Sequence, residues 1–289
     1  MLQRLVRMIE DPAPSHVFEI SADGIAWASD ETLGFQALAP GALTISPIED
    51  NIRDEEAISL ELRRLAAAPN SSKKRRPCAL ILPDYCARIT VLDFDSFPSN
   101  PEEQASLVRF RMKKSLPFDA DSAAVQFQSQ AGDGGRQEVV VGAISLEILS
   151  RYESVFRRAG WHPGFVTISS LAAMELIDKA DGIVLAARMS GTVLTLSLLK
   201  DGVLRLARCV ELSAPEFEEA AAVVFPTIAY AEDEFGSPIS AVRHCGFDEF
   251  RRGWQDAFSV PLEPLQSRWK TPGGRDAGML GYLKATKAA

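Results

Sequence analysis

One arrangement of elements occurs twice in this chain, and it limits the fold more than any motif does. Three short strand-like segments joined by tight turns are followed by a helix and then by another strand. In the first copy the strand-like segments span 16–20, 24–29 and 34–38, with turn chemistry from Ala22-Asp23-Gly24 and Asp30-Glu31. A helix over 54–68 follows, carrying Ile58, Leu62 and Leu65 on one face. In the second copy the strands span 183–187, 192–199 and 203–210, joined at Ser190-Gly191 and Lys200-Asp201-Gly202. The helix after them carries Phe217, Ala221, Val224 and Ile228 at helical spacing, opens on a Ser213/Glu216 capping box, and leads to a strand at 239–243. Strands alternating with helices imply an α/β fold, and the repetition implies two related lobes. The two copies share an order of elements and little sequence.

Between the copies lies a differently patterned stretch. Strands are predicted at 78–82 and 87–94. A helix then starts at Asn100-Pro101, with Glu103 placed for a capping box, acids at its start and Arg109, Arg111, Lys113 and Lys114 near its end. It must stop at Leu116-Pro117, because proline disfavours helical geometry in the residue before it. Strands at 124–128 and 138–144 flank the Gly132-Asp133-Gly134-Gly135 turn. A helix over 146–159 ends on Gly160, a strand follows at 164–168, and a helix is predicted at 171–179. Further helices are expected near 247–257 and 277–285. At the start, Leu2, Leu5, Val6 and Ile9 fall at helical spacing, and Lys73-Lys74-Arg75-Arg76 reads as a solvated connector.

Composition removes several classes of function. The chain has 289 residues, with 31 basic and 39 acidic side chains and a net charge of −8, which lacks the basic footprint of a general nucleic-acid binder. Four scattered cysteines and three histidines include no zinc-type spacing. No run approaches the ~20 apolar residues of a membrane span, and the arginine-bearing start lacks the apolar core of a secretion signal. Gly-x-Ser-x-Gly, Walker-type and His-Glu-x-x-His motifs are all missing. His244 and Cys245 are adjacent on a predicted strand, so they point to opposite faces and do not form a nucleophile–base pair.

The segments PCALILPDYCARITVLDF, EEQASLVRFRMKKSLPFDADSAAVQFQ and VVVGAISLEILSRYESVFRRAGWHPGFVTISSLAAMEL, in this order, resemble the PilM-like proteins of type IV pilus assembly. The resemblance rests on the helix ending Lys114-Ser115-Leu116-Pro117-Phe118, the turn Ala159-Gly160-Trp161-His162-Pro163, and the closing Ala277-Gly278-Met279-Leu280-Gly281-Tyr282. It implies the actin-like (ribonuclease H-like) two-lobed fold, shared with the cell-division protein FtsA. It also implies a first-lobe core at 1–83, completed by 160–178 with the C-terminal helix a candidate addition. An inserted subdomain at 84–159 and a second lobe at 179–289 would follow. Only 28 residues separate the predicted strands ending at Val210 and starting at Ile239, too few for the family's usual cleft-wall subdomain.

The family's cleft holds ATP on two hairpins with an Asp-x-Gly pattern. Here the first hairpin reads Glu19-Ile20-Ser21, with Ala26 where the family often has lysine, and the second is aligned as Ala187-Arg188-Met189. Met189 is expected to occupy phosphate space, and the adenosine loop is reduced to Cys245-Gly246. Glu19, Ser21, Ala187, Met189, Cys245 and Gly246 are thus degenerate nucleotide positions, and neither ATP nor Mg²⁺ is expected as a cofactor. The resemblance further implies a non-catalytic scaffold that binds the cytoplasmic tail of a PilN-like single-pass membrane protein, lying in the cytoplasm beside the inner membrane and its pilus platform proteins. Arg109, Lys113, Lys114 and Phe118 are the candidate partner-binding residues. Two alternatives have the same fold: a nucleotide-dependent switch, and a GspL-like cytoplasmic domain of a type II secretion system.

Overall fold

Strands His16–Ser21 (β1), Gly24–Ser29 (β2) and Thr32–Ala37 (β3) form an antiparallel meander, and Arg76–Leu82 (β4) then pairs parallel to β1. A fifth strand, Trp161–Ile168 (β8), pairs parallel to β4 and completes a sheet in the order β3-β2-β1-β4-β8. The computed structural model describes residues 13–29, 32–66, 76–132, 136–178, 181–247, 253 and 260–287. The expected helix at 2–9, Lys73-Lys74-Arg75, Asp133-Gly134-Gly135 of the glycine turn and nearly all of the expected helix at 247–257 lie outside the described residues.

Both faces of this sheet are covered, which accounts for the uninterrupted apolar run of β4. Phe18, Ile20, Leu80 and Leu82 point to one face and pack with Glu55–Ala66 (α1) and Leu146–Arg158 (α3) through Ile58, Leu62, Tyr152 and Phe156. Trp161 anchors that side: its ring lies 4.7 Å from Phe18, and its Nε1 donates to the Leu62 carbonyl at 3.0 Å. Val17, Ala79 and Ile81 point to the other face, against Ser169–Ala173 (α4) and Ala277–Lys287 (α6). The glycines of α6 allow this close approach. A Cβ at Gly281 would stand 2.0 Å from the Ala172 carbonyl oxygen, far inside contact distance.

The second sheet repeats the first. Ile183–Ser190 (β9), Val193–Lys200 (β10) and Val203–Glu211 (β11) form the meander, and Ile239–Cys245 (β12) pairs parallel to β9. A three-residue strand, Leu262–Pro264 (β13), pairs parallel to β12, so the order is β11-β10-β9-β12-β13. The helix Phe217–Phe235 (α5) is the one element between β11 and β12, and it packs Ala220, Val224 and Ala231 against Ile183, Leu185, Ala187 and Met189 of β9. Its start differs from the expected capping box. Glu216 is the N-cap but makes no side-chain cap bond, and Glu219 reaches back instead to accept from the backbone N–H groups of Ser213 (2.7 Å) and Ala214 (3.2 Å).

Between β4 and β8 the chain builds a separate antiparallel sheet, β5-β7-β6, from Ala87–Phe94 (β5), Ala123–Ala131 (β6) and Gln137–Ser145 (β7). The helix Pro101–Met112 (α2) covers it, and Val108 and Met112 join Phe94, Val139 and Val141 in its own core. Asn100 caps α2 through its side-chain oxygen, which accepts from Glu102 and Glu103 backbone N–H at 2.8 and 3.3 Å. Glu138 and Arg205 join this sheet to the second lobe with a 2.5 Å ion pair whose side chains are about one-tenth exposed.

Candidate functional site

The two meander hairpins, 21–24 and 190–193, face each other across the junction of the lobes. Strand alternation decides which side chains reach that junction. On β1, Phe18 and Ile20 belong to the α1/α3 core, so Glu19 points the opposite way; on β9, Ala187 and Met189 belong to the α5 core, so Arg188 points toward the first lobe. Glu19 lies two residues before the last hairpin pair Ser21↔Gly24, and Arg188 lies two residues before Ser190↔Val193. Arg188, not Ala187, is therefore the structural counterpart of Glu19. Met189 is 4% exposed inside the second-lobe core, which corrects the expectation that its side chain intrudes on the cleft.

Arg188 and two carboxylates form a buried network. Its Nη1 donates to Asp84 Oδ2 at 2.5 Å, its Nη2 is 3.6 Å from Glu19 Oε1, and its Nε and Nη2 donate to the Gly274 carbonyl at 3.2 and 2.9 Å. Asp84 follows β4 in the short 3₁₀ turn Asp84–Cys86. Its Oδ2 also accepts from Thr195 Oγ1 at 2.8 Å, and its Oδ1 accepts from the Ser170 N–H in α4 at 2.7 Å. Glu19 accepts from Ser169 Oγ and from the Met279 N–H in the first turn of α6, the latter at 2.7 Å. Burial raises the Glu19 pKa above the usual carboxylate range, opposed by Arg188, Ser169 and Met279. Burial pulls the other way on Arg188, yet Asp84 and Glu19 hold its guanidinium above its ordinary pKa.

The remaining predicted nucleotide positions gather here but are closed off. Ser21 Oγ donates to the Gly24 carbonyl at 3.2 Å, tying the first hairpin to itself. Cys245 ends β12 beside β9 and Gly246 follows it, and burial pushes the Cys245 thiol up to about 12. Gly246, at φ +77°, and Gly274 clasp the Met189 main chain: a Cβ on either would come within 2.0 and 1.8 Å of the Met189 carbonyl oxygen. A 220 Å³ cleft remains between the hairpins, lined by Ser21, Ala22, Ser190, Thr192 and, at its base, Asp84 and Arg188.

The candidate partner residues of the inserted sheet do not converge. Arg109 donates through Nη1 to the carbonyls of Ala120 (2.9 Å) and Ala123 (3.1 Å), fastening α2 to the start of β6. Phe118 packs on the inserted core, Lys113 pairs with Asp121 at 3.3 Å, and Lys114 is exposed. A larger feature lies elsewhere. An 800 Å³ groove separates β6 from β8, which among the described residues are edge strands of the inserted and first-lobe sheets. Phe127, Phe165, Leu171, Met174 and Val203 are among its apolar lining, and Gln126, Gln128, Glu175 and Asp178 among its polar lining. Gln130 Nε2 donates to the Leu204 carbonyl at 2.6 Å beside this groove, joining the inserted sheet to β11. None of these residues is among the candidates read from the sequence; the pairing order of the strands is what brings two sheet edges onto one groove.

Comparison with solved structures identifies the architecture. The chain superposes on the structure described as the PilM-PilN type IV pilus biogenesis complex with a TM-score of 0.69, at 16% identity over 96% of this chain and 97% of that one. The cytoplasmic domain of EpsL, described as an inner-membrane component of the type II secretion system of Vibrio cholerae, matches with a TM-score of 0.54 at 12% identity, covering 95% of each chain. A Bacteroides thetaiotaomicron protein of actin-like ATPase fold and unknown function matches at 0.50, with 10% identity over 86% of this chain and 89% of that one. No family model matches the chain, and no curated protein does. The fold is the actin-like one, with PilM and EpsL among its structural neighbours. Among the described residues, no helix is long and apolar enough to cross a membrane.

Proposed function

We propose that this chain is a non-catalytic scaffold of a type IV pilus or related secretion platform, and that it holds the cytoplasmic tail of a PilN-like membrane protein in the groove between β6 and β8. The groove carries this reading. Two strands that are sheet edges among the described residues, bordering a channel of mixed apolar and polar lining, suit a peptide in extended form, whose main chain completes the ladder while alternate side chains enter pockets. The fold likeness to PilM, whose structure was solved with PilN, and to EpsL supports a platform setting at the inner membrane. The EpsL likeness equally supports a type II secretion machine as the setting.

The absence of catalysis is supported by the junction network. Magnesium nucleotide needs carboxylate and water oxygens around the metal and free backbone N–H groups around the phosphates. Here Glu19 and Asp84 are committed to Arg188, Ser169, Ser170, Thr195 and Met279, and the counterpart of Glu19 on the second hairpin is a cation. These residues do not fit Mg-ATP.

The test is titration of the purified chain with a synthetic cytoplasmic tail of a PilN-like protein, alongside a Phe165→Glu variant. Phe165 is 43% exposed on β8, so the substitution should leave folding intact. Tail binding at least tenfold weaker in the variant is expected; equal binding would remove the groove from the reading. Thermal unfolding with millimolar Mg-ATP should show no change in midpoint, whereas ligand at about 100 times its Kd would add about 2.7 kcal/mol and several degrees. Such a rise would favour the nucleotide-dependent switch.

A further inference from the structure

The inserted sheet turns one face to its helix and the other to the groove. Val139 and Val141 of β7 pack under α2, so Glu138 and Val140 beside them point the opposite way. The register sets Gln126 of β6 opposite Gly142, Gln128 opposite Val140 and Gln130 opposite Glu138. Strand alternation therefore carries three glutamines onto the groove side. Gln126 and Gln128 are exposed there, whereas Gln130 is committed to other groups. Its Nε2 donates to Glu138 Oε2 at 2.9 Å and to the Leu204 carbonyl of the second lobe at 2.6 Å.

The second lobe meets this corner with an irregularity in its own sheet. Leu206 pairs with Leu198 and Leu204 pairs with Leu199, so Arg205 between them faces no residue of β10. A bulge of this kind re-aims the side chain it carries, and Arg205 Nη1 reaches Glu138 Oε1 at 2.5 Å. The same stretch of chain helps to build the groove. Val184, Leu199, Val203 and Leu204 form a second-lobe wall that stands with the walls from β6 and β8. Gln130, Glu138 and Arg205 fasten that wall to the inserted sheet. Neither Glu138 nor Arg205 lines the groove itself, so any effect they have on an occupant passes through the wall.

We propose that Gln130, Glu138 and Arg205 form a clasp that positions the second-lobe wall, so that a tail in the groove and docking of the second lobe on the inserted sheet strengthen each other. This rests on the groove being the tail site. A peptide that touches all three walls binds the docked arrangement more tightly than one whose third wall has moved away, and such coupling is reciprocal. Cys209 reports on docking from outside the groove: it lies on β11 and shares a cavity with Arg88 and Ile89 of β5.

The test titrates the full chain with a synthetic cytoplasmic tail of a PilN-like protein. Calorimetric Kd is read for the wild type, Phe165→Glu, Arg205→Met and Arg205→Lys. Arg151→Ala is the control, since it loses ion pairs to Asp50 and Glu55 that lie outside the groove lining. Arg205→Met should weaken the tail about tenfold, within the usual range of coupling between sites. Arg205→Lys should recover part of that loss, and Arg151→Ala should bind as the wild type does. The second readout is the rate at which a disulfide reagent labels Cys209. Saturating tail should slow it severalfold in the wild type and leave it unchanged in Arg205→Met. If Arg205→Met does not fold, the wild-type labelling rates with and without tail decide alone. Wild-type binding that Phe165→Glu weakens and Arg205→Met does not would overturn the clasp and leave the groove standing. No wild-type binding would overturn both. Cys209 labelling that saturating tail leaves unchanged in the wild type would overturn the clasp whatever the variants do.

Discussion

Arg188 Nη1 lies 2.5 Å from Asp84 Oδ2, joining the central strand of the second sheet to the turn that leaves β4 of the first. Both side chains are under one-tenth exposed, so their charges depend on each other and on Glu19 rather than on water.

Replacing Arg188 with Met would leave two carboxylates buried without their cation. Breaking a buried pair by removing one partner costs about 3–5 kcal/mol, and urea unfolding of Arg188→Met should show a loss of that size. A loss below about 1 kcal/mol would mean the network contributes little to stability.

The raised pKa of Glu19 predicts a pH dependence. A carboxyl that binds its proton more tightly when folded than at its reference value of 4.5 contributes stability below that value, and this contribution is lost as pH rises through the higher folded pKa. Glu19→Gln removes that titration. The stability of the wild type relative to Glu19→Gln should therefore fall as pH is raised from about 4 toward about 8. Parallel profiles would show that Glu19 does not titrate differently on folding.

Gly274 has no room for a methyl group. A Cβ there would meet the Met189 carbonyl oxygen at 1.8 Å, so Gly274→Ala should cost about 1–3 kcal/mol or more. Gly142 on β7 is the matched control, because a Cβ added there would meet nothing within 4 Å. Gly142→Ala should be neutral or stabilising by up to about 1 kcal/mol. Equal thermal midpoints for the two variants would contradict the packing described.

Thiol reactivity should divide the four cysteines. Cys78, Cys86 and Cys245 are buried, and burial pushes the Cys78 and Cys245 thiols up to about 12. Cys209 is half-buried, though burial also raises its thiol to about 12. Native protein at about pH 8 should react slowly with a disulfide reagent, and at Cys209 alone. Cys209→Ser should abolish the native reaction while leaving the other thiols titratable in denaturant. Fast labelling of more than one thiol would show that these sites open.

Much of the fold was legible because it is written in local periodicity. The alternation that placed strands near 16–20, 24–29 and 183–199 survives in β1, β2, β9 and β10, and Asn100 caps α2 as its position predicted. What failed was register. Aligning the second hairpin on Ala187 instead of Arg188 is a shift of one residue, and in a strand that turns every side chain to the opposite face. Local signals cannot fix it; the α5 core that claims Ala187 and Met189 does. The three-residue β13 is too short to leave a periodic trace and contains Pro264, a poor strand residue. Asp84 carried no signal at all, because its partners Ser170, Arg188 and Thr195 lie 86 to 111 residues away in the chain.

The two sheets share one strand order, yet neither half is electrically self-sufficient. The first contributes Glu19 and Asp84, and the second contributes the one guanidinium that faces both. Cut apart near residue 180, one fragment would hold two acids in an apolar setting and the other a stranded cation, each obliged to change protonation or open to water. Folding of either half is therefore conditional on the other, and the chain should unfold as one cooperative unit.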